Sequence, residues 1–261
     1  MTFGIQTAHA AEEGGGIAIH LAPDVIGYIF NIPITSTLVM TWFVMTILIA
    51  MAVILKRKLT LIPGKFQSVL ELMIGGAYDY ISEALESKEL AKKYFPLIMT
   101  IFVFILALNW VGLLPGVDSI GIMKEYHGEE KLIPFLHPAN TDLNVTIAFA
   151  LIAFFFIEIA GILALGFIKY GSKFINFKSP LAFLIGIIEF ISELARLISF
   201  SFRLFGNIFA GKTLLVIAIF FAPFIIPVPI LAFEMFVGLI QAFIFAVLTL
   251  YFTKLAIAEP H

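Results

Sequence analysis

Hydrophobic positions along this 261-residue chain gather into five long blocks, at residues 35–55, 94–114, 143–168, 180–222 and 229–258. Each can cross a hydrocarbon core, which takes roughly 20 residues as helix. The last two are oversized. A helix over 180–222 would be ~64 Å long at ~1.5 Å per residue, so in a core ~30 Å thick it must tilt by about 60° or break. Block 229–258, at ~45 Å, calls for a tilt near ~48°. Between them "PFIIPVP" (223–229) supplies three prolines, a turn-type break. The pattern predicts a long, steeply tilted antiparallel hairpin. Residues 63–90 differ: after Pro63, apolar side chains recur at 66, 69/70, 73/74, 77, 81 and 84/85. This is the period of an amphipathic helix, too polar to span and suited to lying along a membrane face.

Composition agrees with this pattern. With 61% hydrophobic and 13% charged residues, mean hydropathy +1.06 and 29 Phe, the chain is far more apolar than a soluble domain. The expected fold is an all-α polytopic membrane protein: one membrane domain with an outer N-terminal segment, 1–34. Cysteine is absent, which excludes a disulfide framework and thiolate metal sites. The net charge of −2 decides nothing. "AHAA" near the N-terminus resembles a cleavage site, but no basic n-region or apolar h-region precedes it, so no signal peptide is expected.

The distribution of charge orients the spans. Eleven Lys/Arg fall at 56, 57, 58, 65, 88, 92, 93, 169, 173, 178 and 254, whereas 1–55 hold none and 115–141 hold two. By the positive-inside rule the N-terminus is outside and the C-terminus cytoplasmic, an alternation that five spans satisfy.

Polar residues inside the fourth block are ordered. Positions 189, 192, 196, 199 and 203 step by 3, 4, 3 and 4, with Asn207 a further 4 on, so they share one helix face. Lys212, nine residues beyond Arg203, lies about 180° round the same helix. The fifth block offers Glu234, Gln241 and Thr249. Facing residues of an antiparallel hairpin have a nearly constant index sum. Lys212 with Glu234 gives 446, Arg203 with Gln241 gives 444 and Asn207 with Gly238 gives 445. An ion pair between Lys212 and Glu234 is therefore expected.

Intramembrane ionisable groups mark ion pathways, proton relays, voltage sensors or ligand counter-ions. A voltage sensor needs several Arg at every third position, and this helix has only Arg196 and Arg203 among carboxylates. A substrate transporter more typically shows repeats and broken helices at the midplane. An arginine cannot be deprotonated, so Arg203 is either a fixed positive barrier or the partner of a visiting carboxylate.

"SFRLFGNIFAGKTL" (201–214), "LNWVGLLPG" (108–116), "DLNVTIAFALIAF" (142–154) and "LIQAFIFAVLTLYF" (239–252) resemble the a subunit of the rotary F-type ATP synthase membrane sector. The likeness covers most of residues 90–258. It implies a stator beside a ring of c subunits, with further partners in the peripheral-stalk b subunits, the rest of the synthase and the lipid bilayer of a bacterial plasma (inner) membrane. The family's essential arginine falls on Arg203. Asn207 follows it by four, Gln241 stands in the Gln-Ala of the last helix, Glu189 holds the carboxylate fourteen residues upstream, and Asp142 and Asn144 sit in Asp-x-Asn-Val-Thr. The resemblance implies an outer half-channel with Asn207, Lys212, Glu234, Gln241, Asp142 and Asn144, and a cytoplasmic one with Glu189, Ser192 and Ser199. Many members carry His where Lys212 stands; a lysine titrates near ~10.4 unless burial lowers it, so Lys212 either passes protons or neutralises Glu234.

Plainer roles stand beside these. Arg203 is otherwise an interhelical hydrogen-bonding residue, and Glu189 and Glu234 are otherwise protonated helix glue. Arg196, Glu193 and Ser192 are as readily interfacial, since arginine snorkels. Glu158 fits either packing or an accessory channel position. His9, His20, His127, His137 and His261 have no metal-type spacing and are expected to be solvated. Without a GxxxxGK[ST] loop the chain is not expected to bind nucleotide, and neither a cofactor, nucleic acid nor enzymatic chemistry of its own is expected. The alternative function is a stand-alone secondary transporter or channel that uses Arg203 as an anion or gating site.

Overall fold

The computed structural model describes residues 24–126, 129–174, 179–223 and 225–258. His9, His20, His127, His261, Lys178, the "AHAA" stretch and Phe224 of the proline-rich turn lie outside the described residues.

Five helices are long and apolar enough to cross a membrane. They are α1 (Ser36–Lys58), α3 (Lys88–Gly112), α4 (Leu143–Leu165), α6 (Pro180–Phe221) and α7 (Pro227–Ile257). The amphipathic helix is α2 (Lys65–Leu85), and a short α5 (Phe167–Gly171) follows α4. Local chemistry sets the ends. Thr35, Ser87, Asp142 and Ser179 cap α1, α3, α4 and α6 by accepting a bond from the backbone N–H two or three residues on. Lys56, Arg57 and Lys58 close α1, where cations suit the helix dipole.

The expected spans shift in instructive ways. The second begins at Lys88, not 94, because Ser87 offers a cap and nothing in Lys92 or Lys93 stops a helix from starting in polar sequence. The third stops at Leu165, not 168, where Gly166 takes φ +82°, a backbone state L side chains rarely adopt. Two β-hairpins add to the all-α expectation: β1 (Val25–Ile29) with β2 (Ile32–Thr35), and β3 (Gly121–Tyr126) with β4 (Glu129–Pro134). The first turns on Phe30 and Asn31, both at positive φ, as a two-residue hairpin loop requires.

Apolar contact between helices has no hydrophobic driving force in lipid, so close packing and interhelical hydrogen bonds decide the arrangement. Helix α7 is central, lying against α3, α4 and α6. Its buried face includes Gly238, Ala242, Ala246 and Ala256, small residues that admit close neighbours. At Gly238 an added Cβ would come within 3.0 Å of the Asn109 side chain. Gly238 therefore makes room for α3, not for Asn207. Asn109 donates to the Gly238 carbonyl at 2.9 Å and accepts from Asn140 at 2.7 Å. Helix α1 is peripheral and buries only Ser36, Thr37, Met40 and Val44.

Contacts sort the loops into two ends. At one, Ser36 bonds the Pro134 carbonyl and Thr37 bonds Asp142, tying the start of α1 to β4 and α4. We call this the hairpin end. At the other, Lys254 of α7 pairs with Glu86 beyond α2, and α5 folds back on α4. This is the basic end.

Candidate functional site

Helix α6 runs 42 residues, ~63 Å at ~1.5 Å per residue, from the basic end to the hairpin end. Each end gathers charge. At the basic end Lys173 Nζ lies 2.7 Å from Glu189 and 3.1 Å from Glu193, and Arg196 Nη1 lies 2.6 Å from the other oxygen of Glu193. Arg196 also stacks 3.8 Å above the ring of Phe252 on α7. Glu193 is buried, so its two cations are what make its charge tenable there. Arg196 thus turns inward and does not snorkel. Nearby, Tyr170 of α5 donates to Glu158 Oε2 at 3.1 Å, leaving Oε1 buried with no partner among the described residues.

The shifts outside the spans follow from these contacts. Burial alone would lower the Lys173 pKa, but its bonds to Glu189 and Glu193 and their charges outweigh burial and raise it above the ordinary lysine value. Burial and then the Glu158 carboxylate push the Tyr170 phenol up, keeping it a donor.

At the hairpin end Lys212 Nζ is 3.1 Å from Asp118 Oδ2 and 2.9 Å from His137 Nε2, and His137 Nδ1 is 2.9 Å from Asp118 Oδ1. The expected Lys212–Glu234 ion pair is not formed. Glu234 is buried on α7 against Gly211, where any Cβ would fall on its carboxylate. The hairpin register expected from index sums near 445 is therefore met by Gly211 with Glu234. Residue 212 points about 100° away round the helix, toward the loop that carries Asp118 and His137. His137 is accordingly bonded, not simply solvated.

Between the ends stands Arg203. Its guanidinium donates to Ser199 on its own helix at 3.2 Å, and among the described residues no carboxylate pairs with it. Of the predicted stripe Ser192, Ser199 and Asn207 are exposed, whereas the side chains of Glu189 and Arg196 turn to Lys173 and Glu193. Ser192 spends its hydroxyl on the Ile188 carbonyl. Gln241 is buried on α7, with no bond to Arg203 among the described contacts. Asp142 is also buried. It caps α4, accepts from Thr37 at 2.7 Å and from the Asn144 amide at 3.1 Å, and among the described residues forms no ion pair with Lys212.

Sequence reasoning missed Asp118, Tyr170 and Lys173. All three lie in connections whose local pattern carries no periodicity to reveal where they fold back. The Lys/Arg run at 169, 173 and 178 marked a membrane face but not a partner.

Five helices long and apolar enough to cross a membrane, one of them carrying a charge cluster at each end, define a polytopic helical membrane protein. A profile of the family described as ATP synthase A chain matches residues 38–254. Subunit a of the ATP synthase of Moorella thermoacetica is 35% identical over 231 residues, 88% of this chain and 94% of that one. Those of Geobacter sulfurreducens and Campylobacter fetus are 33% and 32% identical, over 85% and 82% of this chain and 87% and 88% of theirs. The chain belongs to the ATP synthase subunit a family, and is a membrane subunit of an F-type ATP synthase.

Proposed function

We propose that this chain is the stator that forms two offset half-channels and conducts protons to and from the carboxylates of a c-subunit ring, coupling ion flow to rotation. One observation supports it above the rest. Arg203 sits midway along α6 on a face the rest of the chain leaves open, without a carboxylate partner among the described residues. A lone cation inside a membrane costs ~2.5–3.5 kcal/mol even on insertion scales. A carboxylate on a neighbouring subunit offsets that cost. The surrounding positions suit a second helix: Ser199 and Ala210 are small and exposed, and nothing lies within 4 Å of a Cβ placed at Gly206.

In this mechanism the hairpin end faces outward and the basic end faces the cytoplasm, as the positive-inside rule orients them. Asn207, Lys212, Glu234, Gln241, Asp142 and Asn144 belong to the outer half-channel, and Glu189, Ser192 and Ser199 to the cytoplasmic one. A proton entering from outside neutralises a ring carboxylate, which then travels through lipid as the acid. When the carboxyl group comes round to Arg203, the fixed positive charge favours its ionised form, and the proton leaves toward Glu189. Arg203 cannot itself carry a proton, so it blocks a direct leak between the half-channels. Each proton crossing 100 mV supplies ~2.3 kcal/mol. The b subunits of the peripheral stalk hold this chain against the torque, in a bacterial plasma membrane.

Arg203→Ala in the assembled synthase should abolish proton-driven ATP synthesis in proteoliposomes, and normal synthesis in that variant would overturn the mechanism. Reconstituted without a c-ring, the chain should translocate essentially nothing. Transport by the isolated chain would favour the stand-alone transporter or channel instead.

A further inference from the structure

Lysine is an awkward proton carrier near neutral pH, yet Lys212 is where α6 meets the hairpin end. The side chain type that titrates nearest neutrality is histidine, and His137 is bonded directly to it. We infer that His137, from the loop after β4, is the outermost proton-accepting group of the outer half-channel, with Asp118 and Lys212 fixing its ring. This rests on the two-half-channel function proposed above.

The geometry gives each partner a role. Asp118 Oδ1 lies 2.9 Å from His137 Nδ1 and can only accept, so Nδ1 carries the proton and Nε2 is the basic nitrogen, while Lys212 Nζ lies beside both, 3.1 Å from Nδ1 and 2.9 Å from Nε2. Exposure falls inward along the series: the side chains of Asp118, His137 and Lys212 are 46%, 28% and 22% exposed. Beyond them Glu234 is buried, one residue round the helix behind Gly211. A proton from outside water adds to the Nε2 lone pair. The imidazolium formed is paired with Asp118 and repelled by Lys212. It then gives that proton to water or to a carboxylate deeper in the pathway and returns to the neutral ring, so one proton enters and one leaves.

Other charges act on the same set. Asp24, before β1, reaches Lys212 electrostatically, and burial and the His137 and Lys212 contacts act on Asp118 in opposite senses, the contacts prevailing. Asp118 therefore stays a carboxylate through the neutral range, available to hold an imidazolium.

The test uses the assembled synthase in proteoliposomes, stripped of its soluble sector to read passive proton conduction from the outer side. His137→Gln keeps an amide able to bond Asp118 and Lys212 but cannot accept the proton, and should lower conduction by about tenfold. This is less than the roughly 10²–10⁴-fold typical of a general acid or base, because water bypasses a group at a channel mouth. His137→Ala should lose as much and regain conduction when imidazole is added to the outer compartment, whereas His137→Gln should not. In the unmodified enzyme, diethylpyrocarbonate applied from outside should inhibit in step with carbethoxylation of His137, followed by peptide mass. Wild-type conduction in His137→Gln, no rescue of His137→Ala by imidazole, or full conduction after complete modification of His137 would each overturn the assignment. If Arg203→Ala retains coupled synthesis, the functional proposal fails as a whole. If only the His137 results fail, the pathway stands with a different intake group.

Discussion

The two ends of α6 solve one problem, ionised groups at the edge of a membrane, by opposite means. At the basic end Glu193 is 4% exposed at its side chain and held by both Lys173 and Arg196, with Arg196 laid flat on Phe252. At the hairpin end Asp118, His137 and Lys212 form a partly open set, most exposed at Asp118. The first is a closed ionic knot that fixes α6 against α7 and the α4–α6 connection; the second is a looser cluster with its side chains partly exposed. Arg203, between them, has neither arrangement: it bonds Ser199 on its own helix, and no carboxylate pairs with it among the described residues.

This contrast can be broken by substitution, beginning where the charge is best buried. Glu193→Ala leaves Lys173 and Arg196 without the carboxylate between them, and removing one partner of a buried ion pair costs about 3–5 kcal/mol. The expected result is a large fall in the melting temperature of the purified complex. Little or no change would mean that the knot is as solvated as the hairpin end. Gly211→Ala should cost less, about 1–3 kcal/mol, because the new methyl group meets the Glu234 carboxylate and α6 and α7 must part slightly. Unchanged stability and conduction there would mean that the helices separate freely at this level.

The smallest effect belongs to Asp118→Asn. Burial would raise the Asp118 pKa, but the His137 and Lys212 contacts more than reverse this, so its folded value lies below the ordinary aspartate value of ~3.9. A depressed carboxyl pKa contributes stability that is present above that ordinary value and lost as pH falls through the folded one. Melting temperature measured against pH should therefore separate wild type from Asp118→Asn at neutral pH, by a small margin given the exposure of the site. The difference should close on acidification below the aspartate range. A gap that persists there would mean that Asp118 acts through packing and not through charge.

Much of the bundle was legible because long apolar blocks have few places to go. The five spans, the amphipathic α2 and the α6–α7 hairpin follow from block length and period, and the stripe through Ser192, Ser199, Arg203 and Asn207 follows from helical geometry. The site was legible in part. Glu193 and Arg196 were visible as intramembrane charges, but not as a bonded pair with a third member in the α5–α6 connection. Lys212 and Glu234 shared a register sum, yet a sum fixes only the level along the hairpin. Rotation about the helix axis decides which residue faces the partner, and here that is Gly211.

Composition and a period of 3.6 residues were enough to show which segments are apolar and long enough to span, and where an arginine stands inside one of them. Which charges meet depends on how the connections fold back over the packed helices. Asp118 and His137 reach Lys212 from a connection, and Lys173 reaches Glu189 and Glu193 from another, through contacts separated by 16 to 94 residues. No local pattern encodes such distances. They are set by how far each loop folds back once the helices have packed.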